Sequence, residues 1–182
     1  IEEIKKGANF QRPSYLEYEM AEKFLSLVPK HDMIKFAKHG STVTTAAVKL
    51  ARAFTGRKYI AVPVEQPFFS FDDWFIGSTV LQKGVLAEAA NYTIRFHYKD
   101  LASLNELFDS YPNQIAAIMM EAATTLNPCN DQCDIQKSCS SCKNNPNNFL
   151  VQAQKVAHKN GAIFILDEMI TGFRWDFRGA QN

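Results

Sequence analysis

Two adjacent carboxylates close an apolar run, Ile163-Phe164-Ile165-Leu166-Asp167-Glu168. A run of this kind reads as a buried strand, and an acid at its end is costly unless a cation or a hydrogen-bond donor meets it. Asp167 could hold magnesium behind a phosphate loop, pair with a protonated ring nitrogen of a bound cofactor, or simply cap a turn or meet an arginine. The magnesium reading needs a loop of the form GxxxxGK[ST], and no Gly-Lys pair occurs in the chain. The other two remain open on these residues alone.

Gly40-Ser41-Thr42 opens a second constellation. Glycine allows close backbone approach, the two hydroxyls can donate, and the free amides of a helix start favour a dianionic phosphate. The same triplet can equally serve as a plain helix cap. An aromatic run, Gln66-Pro67-Phe68-Phe69-Ser70-Phe71-Asp72-Asp73-Trp74, follows a candidate strand, and ordinary core packing is one reading of its phenylalanines. Glu121 ends the apolar run 115–120, where it can serve as a plain cap.

All four cysteines, Cys129, Cys133, Cys139 and Cys142, fall within one short loop. Four thiolates at such spacing can close a tetrahedral zinc shell, although only Cys139 and Cys142 form a C-x2-C knuckle. An iron–sulfur cluster, disulfides or free thiols are the alternatives. The clustering favours a local device in a reducing compartment over a secreted disulfide scaffold, so a cytoplasmic protein is expected.

The run Asp167-Glu168-Met169-Ile170-Thr171-Gly172-Phe173-Arg174 resembles the D-E-[VM]-x-T-G-F-R signature of class III pyridoxal-phosphate (PLP) aminotransferases, particularly the glutamate-1-semialdehyde aminomutase branch. Phe36-Ala37-Lys38-His39-Gly40-Ser41-Thr42, with Ala46-Ala47-Val48-Lys49-Leu50-Ala51-Arg52 and Thr55-Gly56-Arg57 after it, is similar to that family's phosphate-binding run and its sequel. The resemblance implies that Asp167 pairs with the pyridine nitrogen and that Met169 packs against one ring face. By the same resemblance Phe68 stacks on the other face, Gly40, Ser41 and Thr42 hold the phosphate, and Glu121 orients groups near the ring. Phe68 and Phe69 stand where relatives often carry Tyr and His, so aromatic stacking is kept and the polar groups are not. Ala122 replaces the proline of the family's V-E-P run.

The resemblance extends from about Pro13 to Gln181 apart from the Cys loop, and covers less than half of a typical family subunit. It implies a Schiff-base lysine beyond Asn182 and assigns that role to no lysine of this chain. The implied activity, for the full-length parent, is transfer of an amino group between an amine donor and a carbonyl acceptor, or within one molecule as an aminomutase. The implied partners are a small amino or oxo substrate and a second copy in a homodimer. A non-catalytic PLP-fold domain, acting as a binding or assembly module with a metal-binding Cys loop, is the alternative.

These residues need a scaffold, and hydrophobic periodicity outlines one. Leu16, Met20, Phe24 and Val28 recur at helical spacing and Pro29 closes that helix. A short strand at 33–37 leads into a helix through Val43, Ala47, Leu50 and Phe54 that Gly56 ends. Strands are expected at 59–64, 94–98, 115–120 and 162–166, with helices after Asp100 and Asn148 as caps and Gly161 as a stop. Helices alternating with short apolar strands predict an α/β fold, a mostly parallel sheet covered on both faces, whose ligands sit at the carboxyl ends of the strands. The resemblance makes this a large-domain fragment of fold type I. We read 1–182 as part of one PLP-binding domain, with 127–148 as a Cys-rich insertion.

The 182 residues are 46% apolar, enough for one sizeable core. Twenty basic against nineteen acidic residues give a net charge of +1, which creates no general attraction for nucleic acid or an anionic membrane. No apolar run reaches the roughly 20 residues of a membrane span.

Overall fold

The computed structural model describes residues 1–6, 14–129, 145 and 147–181. In chain order the elements are α1 (Glu2–Lys5), α2 (Tyr15–Leu27), α3 (Gly40–Thr55), β1 (Tyr59–Pro63), α4 (Asp73–Ile76), α5 (Ala87–Ala90), β2 (Thr93–Phe96), α6 (Leu101–Ser110), β3 (Ile115–Glu121), α7 (Phe149–Lys159) and β4 (Ile163–Asp167). The four strands form one parallel sheet in the order β2-β1-β3-β4. This is the expected α/β architecture.

Strand alternation divides the core. Ile60, Val62, Ala117 and Met119 point to one face, where they pack with Val48 and Ala51 of α3 and with Phe69, Trp74 and Phe75. Ala61, Phe96, Ile118 and Met120 point to the other, against Leu104 and Phe108 of α6 and Phe149, Ala153 and Ala157 of α7. Burying a side chain such as Phe75 or Leu104 contributes about 2 kcal/mol, so the two layers hold the sheet from both sides.

Local signals set the helix ends. Ser14, Asp100 and Asn148 accept from the backbone N–H of Glu17, Ser103 and Leu150, capping α2, α6 and α7. Gly56 closes α3 in the left-handed conformation at φ 68°, where a side chain would be strained. Among the described residues no helix is long and apolar enough to cross a membrane.

Two expectations are corrected. Residues 33–37 form no strand, since Lys35 interrupts the run, Met33 is exposed and no strand of the sheet pairs with it. The larger apolar residues of α3, Val43, Leu50 and Phe54, point outward, whereas Ser41, Thr44, Val48 and Ala51 face the sheet. A helix lying close on a sheet selects small side chains for the contact. Periodicity alone had picked the bulky ones.

Candidate active site at the carboxyl edge of the sheet

The connection after β1 passes to the face that carries α3, through Phe69, Trp74 and Phe75. The connection after β3 passes to α7 on the opposite face. Neighbouring parallel strands whose connections part in this way leave a crevice at their carboxyl ends, the usual place for a ligand in an open α/β sheet. Because α3 precedes β1 and runs back along it, its first turn lies at the same edge.

That first turn is short of acceptors. Among the described residues no oxygen receives the backbone N–H of Gly40, Ser41 or Thr42, while Val43 donates to the carbonyl of His39. His39 precedes the helix without a side-chain cap, and its ring lies 3.1 Å from the Thr42 hydroxyl. A Cβ added at Gly40 would meet nothing within 4 Å, so space stays open in front of the turn. Three free amides beside open space suit an anion.

The loop after β1 is tied to this turn. Ser41 Oγ accepts from the N–H of Phe71 at 3.2 Å, and the Thr44 hydroxyl donates to the carbonyl of Phe69 at 2.8 Å. Thr45 donates to Asp72 and accepts from the indole N–H of Trp74. Just ahead of these anchors the half-exposed Phe68 meets Phe75 edge-on, 6.1 Å between centroids.

Two acids complete the edge. Glu121 and Asp167 are register partners at the ends of β3 and β4, and alternation puts both on the face of α3. Asp167 Oδ1 accepts from the N–H of Met169 at 2.9 Å. Burial holds its carboxyl above the usual range, with Glu168 adding to that effect and the Met169 amide opposing it. Glu121 is buried, and its Oε2 has no partner. Burial, reinforced by Asp167, pushes its carboxyl up to about 7. An unpartnered acid oxygen beside a second carboxylate is a demanding arrangement, relieved by a cation or a donor placed between them.

Gly40, Ser41, Thr42, Phe68, Glu121 and Asp167 thus occupy one edge. Met169 stands apart. Its exposed side chain lines a cavity of about 640 Å³ on the opposite side of β4, with Phe24, Val28, Met33, Phe173 and Arg174. Cys129 is buried with a free thiol. Cys133, Cys139 and Cys142 lie outside the described residues, and among the described residues no cluster of His, Cys, Asp or Glu is arranged for a metal.

Sequence reasoning gave no role to Gln66 or Tyr98. Gln66 is almost fully buried and pairs with both backbone groups of Glu121; Tyr98, also buried, donates to the carbonyl of Ala122 at 2.7 Å. A lone glutamine just after a strand was the only signal for the first. For the second there was none, because a tyrosine in an apolar stretch reads as core.

No family model matches the sequence. Among solved structures, the FumI protein of Sphingopyxis sp. MTA144, solved in a PLP form, superposes with a TM-score of 0.73 at 28% identity over 92% of this chain and 37% of that one. An omega-transaminase from Sphaerobacter thermophilus gives a TM-score of 0.77 at 21% identity, over 99% and 41%. The taurine:2-oxoglutarate aminotransferase of Bifidobacterium kashiwanohense, in complex with PLP and glutamate, gives 0.70 at 18%, over 89% and 39%.

The chain carries part of the PLP-dependent aminotransferase fold.

It spans about two fifths of the length of these solved relatives. Within that portion, the acceptor-poor start of α3, the open space beside Gly40 and the unpartnered Oε2 of Glu121 lie at the carboxyl edge of the sheet.

Proposed function

We propose that the full-length protein is a class III PLP-dependent enzyme that moves an amino group between an amine donor and a carbonyl acceptor, or within one molecule as an aminomutase. The observation that carries this reading is the meeting, at one sheet edge, of an acceptor-poor helix start and the half-buried Asp167. One suits a phosphate and the other a protonated ring nitrogen.

When bound, PLP supplies an electron sink for the bond broken at the substrate's Cα. Gly40, Ser41 and Thr42 hold the phosphate through their amides, and the Thr42 hydroxyl, beside His39, adds a further donor. Asp167 keeps the ring nitrogen protonated by its charge. Phe68 offers an aromatic face from a loop fixed by Ser41 and Thr44. Glu121 orients polar groups at the edge, and its raised affinity for a proton lets it act there as a donor at neutral pH. Met169, which the resemblance assigns to the ring face, lies on the opposite side of β4 and takes no part in this reading. The substrate is a small amino or oxo compound, and the working unit is a homodimer.

Independently of the PLP reading, the spacing of Cys129, Cys133, Cys139 and Cys142 is the ground for a structural zinc in that loop, with an iron–sulfur cluster, disulfides or free thiols as the alternatives and no catalytic role. Equilibrium titration with PLP and with pyridoxal tests the site. Preference for the phosphorylated form, abolished by inorganic phosphate, is expected; equal binding of the two would remove the phosphate role of the α3 start.

A further inference from the structure

The ladder between β1 and β3 ends before Glu121 is reached. β1 stops at Pro63, and the last residues it pairs with β3 are Ala61 and Ile118. Beyond this point the chain after β1 turns away toward Phe69 and Trp74, and Glu121 would lose backbone partners on that side at the crevice itself.

Gln66 replaces them. Its Nε2 donates to the carbonyl of Glu121 at 3.0 Å, and its Oε1 accepts from the Glu121 N–H at 2.8 Å. A primary amide presents a donor and an acceptor side by side, so one side chain meets both backbone groups of Glu121 that a further strand partner would otherwise pair. The side chain is 1% exposed, which leaves water no access to compete. On its other side Glu121 is held by its register with Asp167. The backbone of the acid is therefore fixed from both flanks, while its own Oε2 is left without a partner.

We infer that Gln66 is a positioning residue: it locks the end of β3 to the loop that carries Phe68, and so keeps the Glu121 carboxyl buried at the edge of the site beside Asp167. The inference rests on the reading of this edge as the cofactor site for its purpose, but the lock is a property of the polypeptide alone. Without it the end of β3 has one flank unsatisfied, and the cheapest repair is for the strand end to move outward and let the Glu121 carboxyl reach water. Neighbouring ionisable groups that bear on this acid are Asp167 from β4 and Tyr98 from the segment after β2.

The test is nuclear magnetic resonance on the full chain without cofactor, so that its result is independent of whether PLP binds. In the unaltered protein the Glu121 amide should exchange with solvent as slowly as that of Met119 inside the strand. Rapid exchange at Glu121 would overturn the lock before any variant is made. Gln66→Met keeps the length and apolar stem but removes both bonds. Its expected effects are loss of protection at Glu121, at least tenfold, and a fall of the Glu121 carboxyl titration from about 7 toward the ordinary range near ~4.3. Thr44→Val, which weakens the same loop from the α3 side, serves as the structural control and should leave that titration in place. An unchanged titration in Gln66→Met, or an equal fall in Thr44→Val, would reduce Gln66 to a general packing residue.

Discussion

Glu121 and Asp167 face each other in register at the carboxyl ends of adjacent parallel strands, two carboxyl groups on one side of a sheet, with the Met169 amide donating to Asp167. Neighbouring strands lie about 4.8 Å apart, so the pair resists double ionisation unless something positive arrives. This relationship turns a pair of strand ends into a site.

The pH dependence of stability follows from it. The Glu121 carboxyl is raised to about 7 in the folded chain, so between the unfolded value near ~4.3 and about 7 the folded state holds more protons than the unfolded one. Stability from this group is therefore fully present below about pH 4 and is lost as pH rises toward 7, by up to roughly 3 kcal/mol. Glu121→Gln removes the titration. Chemical denaturation at a series of pH values should show the variant gaining on the parent as pH rises from about 5 to 8; a constant difference across that range would mean that Glu121 is not a buried acid.

Gly40→Ala separates folding from anion binding. The added Cβ meets nothing within 4 Å, and alanine favours the helix over glycine by roughly 0.5–1 kcal/mol. Thermal stability should hold or rise slightly, while PLP affinity falls on the order of tenfold because the methyl enters the open space in front of the free amides. Calorimetry for both quantities decides it, and unchanged PLP affinity would place the phosphate elsewhere.

Thr44→Val tests the tie between α3 and the aromatic loop. The buried hydroxyl donates to the Phe69 carbonyl, and valine leaves that acceptor without its partner. A cost of about 1–2 kcal/mol in urea denaturation is expected. A neutral result would mean that the loop is held by Ser41, Thr45 and Trp74 alone.

Much of the scaffold was readable because its signals are local. Asp100 and Asn148 cap helices by forming hydrogen bonds within three residues, and Gly56 and Gly161 take positive φ where helices stop. The strand ends were harder: β1 stops at Pro63 and β4 runs to Asp167, differences of one residue that depend on ladder partners distant in sequence. The outward turn of Leu50 and Phe54 was illegible for a related reason. Both faces of α3 carry apolar residues, and only the closeness of the sheet chooses between them. At the site, Asp167 and Gly40 could be named from their motifs, whereas Gln66 could not, since its importance lies in Glu121, 55 residues away.

Single-turnover kinetics of the complete enzyme with an amino donor, followed by the cofactor's absorbance, tests the central claim most directly when the parent is compared with Asp167→Asn. The substitution keeps shape and removes charge, so the ring nitrogen should lose its proton and removal of the Cα proton should slow on the order of a hundredfold or more, while PLP binding through Gly40, Ser41 and Thr42 weakens less. Conversion of bound PLP to the pyridoxamine form at the parent rate would contradict the role assigned to Asp167 and, with it, the account of this edge as the catalytic one.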